Sequence, residues 1–143
     1  MRFLWVILLF LLSTLASAQM PTVHLKISGH SLSAEVAYTQ QNRIRGLMYR
    51  KSIDKNSGML FVFPKSSRHN MWMANTSIPL SIAFLDKDGI ILNISYMLPQ
   101  TKTKHSPISA AKYALEINLG WFKARKIKKG ERVTGLEKAP DAK

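Results

Sequence analysis

Positions 69–76 read HNMWMANT, a short stretch dense in groups capable of ligation or recognition. His69, Met71 and Met73 carry an imidazole and two thioethers at alternate positions. On a strand all three would leave the same face. That donor set suits a soft ion such as Cu(I) or Ag(I), with Met48 and Met59 as further sulfur donors. Methionines also fill irregular cores without binding anything. The metal site is therefore the alternative, and the expectation is no metal and no cofactor. Trp72 is flat and amphipathic, fit for a core or for the rim of a cleft. Asn75 and Thr76 offer donors and acceptors, while Arg45 and Arg50 flank a Gly-Leu-Met and can grip a carboxylate or phosphate with two parallel bonds. With Glu116, an acid inside a β-patterned run, Arg45, Arg50, Trp72, Asn75 and Thr76 make up the expected binding cleft.

Catalysis finds less support. General acid–base chemistry needs a titratable pair in a pocket. Of the eight acidic residues, only Glu35 and Glu116 fall in β-patterned core segments. No serine sits in a nucleophile elbow, and no second histidine stands at ligand spacing from His69. Cysteine is absent, which removes thiolate nucleophiles, thiolate metal sites and disulfides together. No set of residues has nameable catalytic roles, so the expectation is a protein that is not an enzyme.

Charge points to a partner. Lys and Arg number 21 against 8 acids, a formal net charge of +13. The run FKARKIKKGER concentrates Lys123, Arg125, Lys126, Lys128 and Lys129, with Arg132 behind them. It reads as an electrostatic docking face for an anionic polymer or an acidic protein.

These groups need a scaffold, and the pattern is mostly of short strands. Val23, Leu25 and Ile27 alternate with polar residues, as do Leu32, Ala34, Val36 and Tyr38 across an SGHS turn, which predicts an N-terminal hairpin. Ile44, Leu47 and Met48 change to helical spacing behind Thr39, a candidate cap. GMLFVFP reads as a fully buried strand, and HNMWMANT as another. SIAFLDKDGIILNIS reads as two strands turning at Asp88-Gly89. The EF-hand reading of DKDG fails because IILNIS supplies no further carboxylates. MLPQTKTKHSPIS is a polar loop. Tyr113, Leu115 and Ile117 mark a strand that leaves Glu116 on its opposite face. A short basic helix and a last strand at ERVTGL follow, with residues 137–143 fraying. The fold class is mainly β (α+β), a single compact β-sandwich or barrel-like domain with one or two short helices.

Residues 1–18 carry a basic Arg2, an apolar run from Phe3 to Leu12 and small residues at Ala16 and Ala18. This is the pattern of a secretory signal peptide cleaved after Ala18. The apolar run is short for a membrane span. The expectation is a periplasmic or secreted domain over 19–143, with no stable span after cleavage. That compartment makes nucleic acid a poor partner despite the charge.

The ordered motifs RGLMYR, GMLFVF, MWMANTSIPLSIAFLD and LEINLG resemble the DUF192 family of small, often exported bacterial and archaeal proteins, from about Val23 to Val133. The resemblance implies a compact β-dominated domain and supplies no activity. Three departures stand out. Ala74 occupies the place of the family's usual lysine, Ser81 that of an aspartate, and Gln40 and Gln41 fall where an acid commonly precedes RGLM. An enzymatic site built on those groups in relatives would be missing here. The sequence therefore leads to an exported, non-catalytic binding or accessory protein that engages an acidic secreted polypeptide or polysaccharide. The alternatives are a Cu(I)/Ag(I)-binding protein and a chaperone-like accessory that holds aggregation-prone fibre subunits. The oligomeric state is unknown from sequence.

Overall fold

The computed structural model describes residues 19–143, so the expected leader lies outside the described residues. Two hairpins and one central strand pair build the domain. Strand β1 (Thr22–Ile27) turns through Ser28 and Gly29 into β2 (His30–Ala37), pairing antiparallel as the alternation predicts. The chain then forms helix α1 (Gln40–Arg45), and the Thr39 side chain accepts a hydrogen bond from the Asn42 amide at 3.2 Å. Strand β3 (Ser57–Ser67) runs parallel to β2. Strands β4 (Leu80–Leu85) and β5 (Ile91–Met97) form the Asp-Gly hairpin, where Asp86 Oδ1 accepts from the amides of Asp88 and Ile90. Strand β6 (Ala111–Asn118) inserts between β3 and β4. Helix α2 (Trp121–Ala124) and β7 (Val133–Thr134) complete the sheet, in the order β5-β4-β6-β3-β2-β1-β7.

The sheet curls until its ends meet. Ile90 bridges Arg132, the Ile91 amide donates to Glu131 O, and the Val133 amide donates to Gly89 O. The result is a mainly β, barrel-like domain whose seam is closed at the start of β5. One face of the sheet packs Val23, Leu25, Leu60, Leu115 and Ile117 against Trp121, Phe122 and Ile127. The other face carries a second core of Met59, Phe61, Ile82 and Phe84, covered by Leu47, Met73 and Ile78 from the connecting loops. Burial on both faces explains why GMLFVF of β3 reads as an unbroken apolar run and why all six residues of β4 are buried.

Two expectations need correction. HNMWMANT is not a strand. Met71 makes a single two-bond bridge with His105, after which Ala74 and Asn75 turn, Asn75 at φ 53°. The chain is pinned by Met73 in the second core and by the polar loop 98–110 rather than by a ladder. The tail also does not fray. Ala139 and Ala142 pack against the first core, and the Lys143 amide donates to Tyr38 O at 2.8 Å. Among the described residues no helix is long and apolar enough to cross a membrane.

Candidate functional site

The site begins at the centre of the sheet. On β6, Tyr113, Leu115 and Ile117 face the first core, so Glu116 faces the second. Its neighbours across the strands are Met59 on β3 and Ile82 on β4, both fully buried. A carboxyl in that setting cannot be hydrated as in water. Burial pushes its pKa up to about 8, and among the described residues neither a hydrogen bond nor a nearby charge offsets the effect. The acid is therefore mostly protonated at neutral pH. The backbone on either side is held close by Gly58, where a Cβ would stand 2.3 Å from the Glu116 carbonyl oxygen.

Above Glu116 lies a pocket of about 470 Å³. Phe61 and Phe63 come from β3, Ile44 to Met48 from the end of α1, and His69 to Trp72 from the loop. Gly46 makes the close approach of α1 possible. It terminates the helix at φ 48°, ψ −130°, and a Cβ there would stand 3.2 Å from the Phe61 ring, a backbone region open in practice to glycine. The loop side is held by Met71–His105 and by the Met73 amide donating to Thr101 O at 3.1 Å. Trp72 leaves the pocket edge half exposed, at 50%. Thr76 is buried and donates its hydroxyl to Ala74 O at 3.0 Å.

Of the six residues expected in a cleft, Arg45, Trp72, Thr76 and Glu116 line one pocket. Arg50 and Asn75 do not. The Arg50 guanidinium makes two bonds to the Glu35 carboxylate, at 2.5 and 3.1 Å, and so is already spent. Asn75 is an exposed turn residue whose carbonyl accepts from the Tyr49 amide. The proposed soft-metal ligands separate as well. His69 and Met71 line the pocket, but Met73 is buried in the second core, and His69 stacks on Phe63 at 3.9 Å with its Nε2 2.9 Å from Lys65 O. Because Trp72 is a rim residue, Trp72→Ala is expected to change stability by about 1 kcal/mol or less. A thermal melt shifted down by the equivalent of roughly 3–5 kcal/mol, the cost of deleting a buried aromatic, would place the ring in the core instead.

Sequence reasoning missed Phe61, Phe63 and Arg43 as lining residues. The unbroken run GMLFVF gave no sign of which face would open. Arg43 is turned away from Glu116, its guanidinium donating to Tyr38 O at 2.6 Å, Val62 O at 3.1 Å and Lys143 O at 2.8 Å.

The basic segment forms a second, separate feature. Beyond the closed start of the seam, β5 and the segment 122–129 leave a groove of about 460 Å³. Lys123, Lys126, Lys128 and Lys129 line it over a floor of Ile94, Phe122 and Ile127, with Tyr96 52% exposed beside them. Arg125 departs from the expected set. It lies over the Trp121 ring at 4.2 Å and donates to Trp121 O and Asn56 Oδ1, securing α2 rather than facing the groove.

Comparison with known proteins gives the family and the fold. No curated protein matches the chain. A crystal structure of a “putative transcription regulator” from Sinorhizobium meliloti 1021 is similar at 30% identity and TM-score 0.79, over 82% of this chain and 96% of that one. A protein of unknown function from Novosphingobium aromaticivorans DSM 12444 is similar at 26% identity and TM-score 0.72, over 84% and 88% of the two chains. The model of DUF192, described as “Uncharacterized ACR”, matches residues 23–135, and the chain belongs to that family.

Proposed function

We propose that this protein is an exported, non-catalytic binding module whose lysine-lined seam engages an acidic, extended polypeptide in the periplasm or outside the cell. The observation that carries this reading is the convergence of Lys123, Lys126, Lys128 and Lys129 on one groove with an apolar floor. Four ammonium groups draw in an acidic chain and hold it less firmly as salt rises. The favoured occupant is a polypeptide rather than a polysaccharide because β5, which forms one wall, has β4 as its only ladder partner among the described residues once past Ile91, whose backbone bonds Gly130 and Glu131. An extended segment can add to such an edge through its backbone while its acidic side chains meet the lysines. The leader-like residues 1–18 support export.

The test is binding of poly-L-glutamate, with the polyuronate alginate for contrast. Replacing Lys126, Lys128 and Lys129 together with glutamine is expected to weaken poly-L-glutamate binding by on the order of tenfold at low salt and to flatten its salt dependence. Unchanged affinity and unchanged slope in the triple variant would reject the seam as the docking face. Tighter binding of alginate than of poly-L-glutamate would reject strand addition.

A further inference from the structure

We infer that the pocket over β6 is a binding site for a monovalent organic ammonium ion with an apolar body, whose charged head pairs with the Glu116 carboxyl. The inference stands apart from the lysine-lined seam and concerns a different face of the sheet.

Three observations carry it. The first is Glu116 itself. It is 4% exposed, is the one acid among the pocket's lining residues, and receives no hydrogen bond from the described residues. Burying a carboxyl without a partner is costly. This chain, with 21 basic residues, has ample means to supply one.

The second is that the basic residues lining the pocket, Arg43, Arg45 and His69, are directed elsewhere, and that Lys104 stands outside it, beyond Asn70, Met71 and Trp72. From α1, the Arg43 guanidinium is spent on three backbone carbonyls, and the Arg45 guanidinium lies over the Tyr49 ring, 5.9 Å from its centroid. From the loop, His69 stacks on Phe63 and bonds Lys65 O. Directly opposite Glu116 the neighbouring strands place Met59 and Ile82, both apolar. Among the described residues no charged group offsets the burial of the carboxyl, so they supply it no positive partner and leave that place to a ligand.

The third is the wall chemistry. Phe61 and Phe63, the latter with His69 stacked on one face, line the wall with apolar ring surface, the half-exposed Trp72 offers a free aromatic face, and Met71 a thioether. Aromatic faces attract cations through their quadrupole, and a thioether packs softly against methylene groups. An alkyl or aryl body therefore fits the walls while its ammonium head reaches the acid. Arg45 at the mouth disfavours a second positive charge at the outer end of the ligand. The site thus distinguishes a monoamine from a diamine.

Binding has a proton balance. The ligand arrives as R–NH₃⁺, and Glu116, mostly protonated at neutral pH, gives up its proton to solvent as the ion pair forms. In a site of low effective dielectric that pair is stronger than its counterpart in water. Close to one proton should therefore leave for each ligand bound at pH 7, and affinity should rise with pH until the carboxyl is fully ionised.

The experiment is calorimetric titration of the purified protein with n-hexylammonium chloride at pH 7, in phosphate and in Tris. The contrast ligands are 1-hexanol, sodium hexanoate and hexane-1,6-diammonium. The expected result is saturable hexylammonium binding with proton release, at least tenfold tighter than any of the three contrasts. Glu116→Gln should lose at least tenfold in affinity, whereas the triple lysine variant of the seam should bind hexylammonium as the parent does. A second measurement on the parent protein needs no substitution. The Glu116 carboxyl carbon, followed by NMR, should titrate at distinctly lower pH in saturating hexylammonium. Equal binding of hexanol or hexanoate, binding without proton release, or a Glu116 titration unmoved by the amine would each overturn the assignment. Poly-L-glutamate binding is read out separately, so failure here leaves the seam proposal standing, and the converse holds.

Discussion

Glu116→Gln is expected to stabilise the protein at pH 9 and to leave it little changed at pH 4. The reason lies in where the carboxyl titrates. In the unfolded chain it releases its proton near 4.5, and in the folded protein burial delays release to about 8. Between those values the folded state holds a proton that the unfolded state has lost. Stability therefore falls as pH rises through this window, by roughly 3–5 kcal/mol in total, and levels off above it. Glutamine keeps the shape of the side chain and removes the charge, so the variant should lack that decline. Urea unfolding at pH 4, 7 and 9 reads the difference directly. Equal pH dependence in parent and variant would mean that the carboxyl is hydrated and that the pocket floor is open to water.

Phe61→Ala is the second large effect expected. The ring is 1% exposed, packs in the second core and lies close to Gly46. Deleting it removes apolar contact and opens a cavity beneath the end of α1. Large-to-small changes of this kind cost roughly 3–5 kcal/mol. The consequence should reach the site, since Gly46 and the residues after it pack over that ring to form one pocket wall. The variant is expected to unfold at lower urea concentration with an unchanged denaturant slope. Its hexylammonium affinity should fall even at temperatures where it is fully folded. A loss below about 1 kcal/mol would show that the neighbouring side chains close the gap, and that the wall does not depend on Phe61.

Much of the scaffold was legible because its signals are local. The alternation in VHLKIS and LSAEVAY, the Thr39 cap and the Asp88-Gly89 turn each draw on a few adjacent residues, and each produced the element its pattern implies. HNMWMANT failed for the same reason in reverse. His69, Met71 and Met73 fall at alternate positions as on a strand, but among the described residues no neighbouring strand pairs with the stretch beyond the bridge at His105. Regular spacing alone therefore could not distinguish a ladder from a loop held by one buried methionine. Glu116 stood out as an acid in a strand, and its place on the second face could be counted from Tyr113, Leu115 and Ile117. What spacing could not reveal is that this second face is also buried, because its cover comes from residues 47, 73 and 78, distant in sequence. Arg50 shows the same limit. Whether a guanidinium faces a ligand or a carboxylate such as Glu35 depends on a pairing that no local pattern encodes.

The parallel pairing of β2 with β3, and the insertion of β6 between β3 and β4, bear on how the molecule comes into being. Each hairpin can form on its own within microseconds. The β3–β6 ladder joins segments far apart along the chain, and the entropy of closing that loop must be met before any of its contacts form. Gly58 sits opposite Ile117 within this ladder, so the floor beneath the pocket exists only once that ladder has formed. A chain halted earlier would display strands, exposed edges and lysines, but no enclosed acid. Occupancy of the Glu116 pocket would then mark a finished molecule and separate it from every partly assembled form.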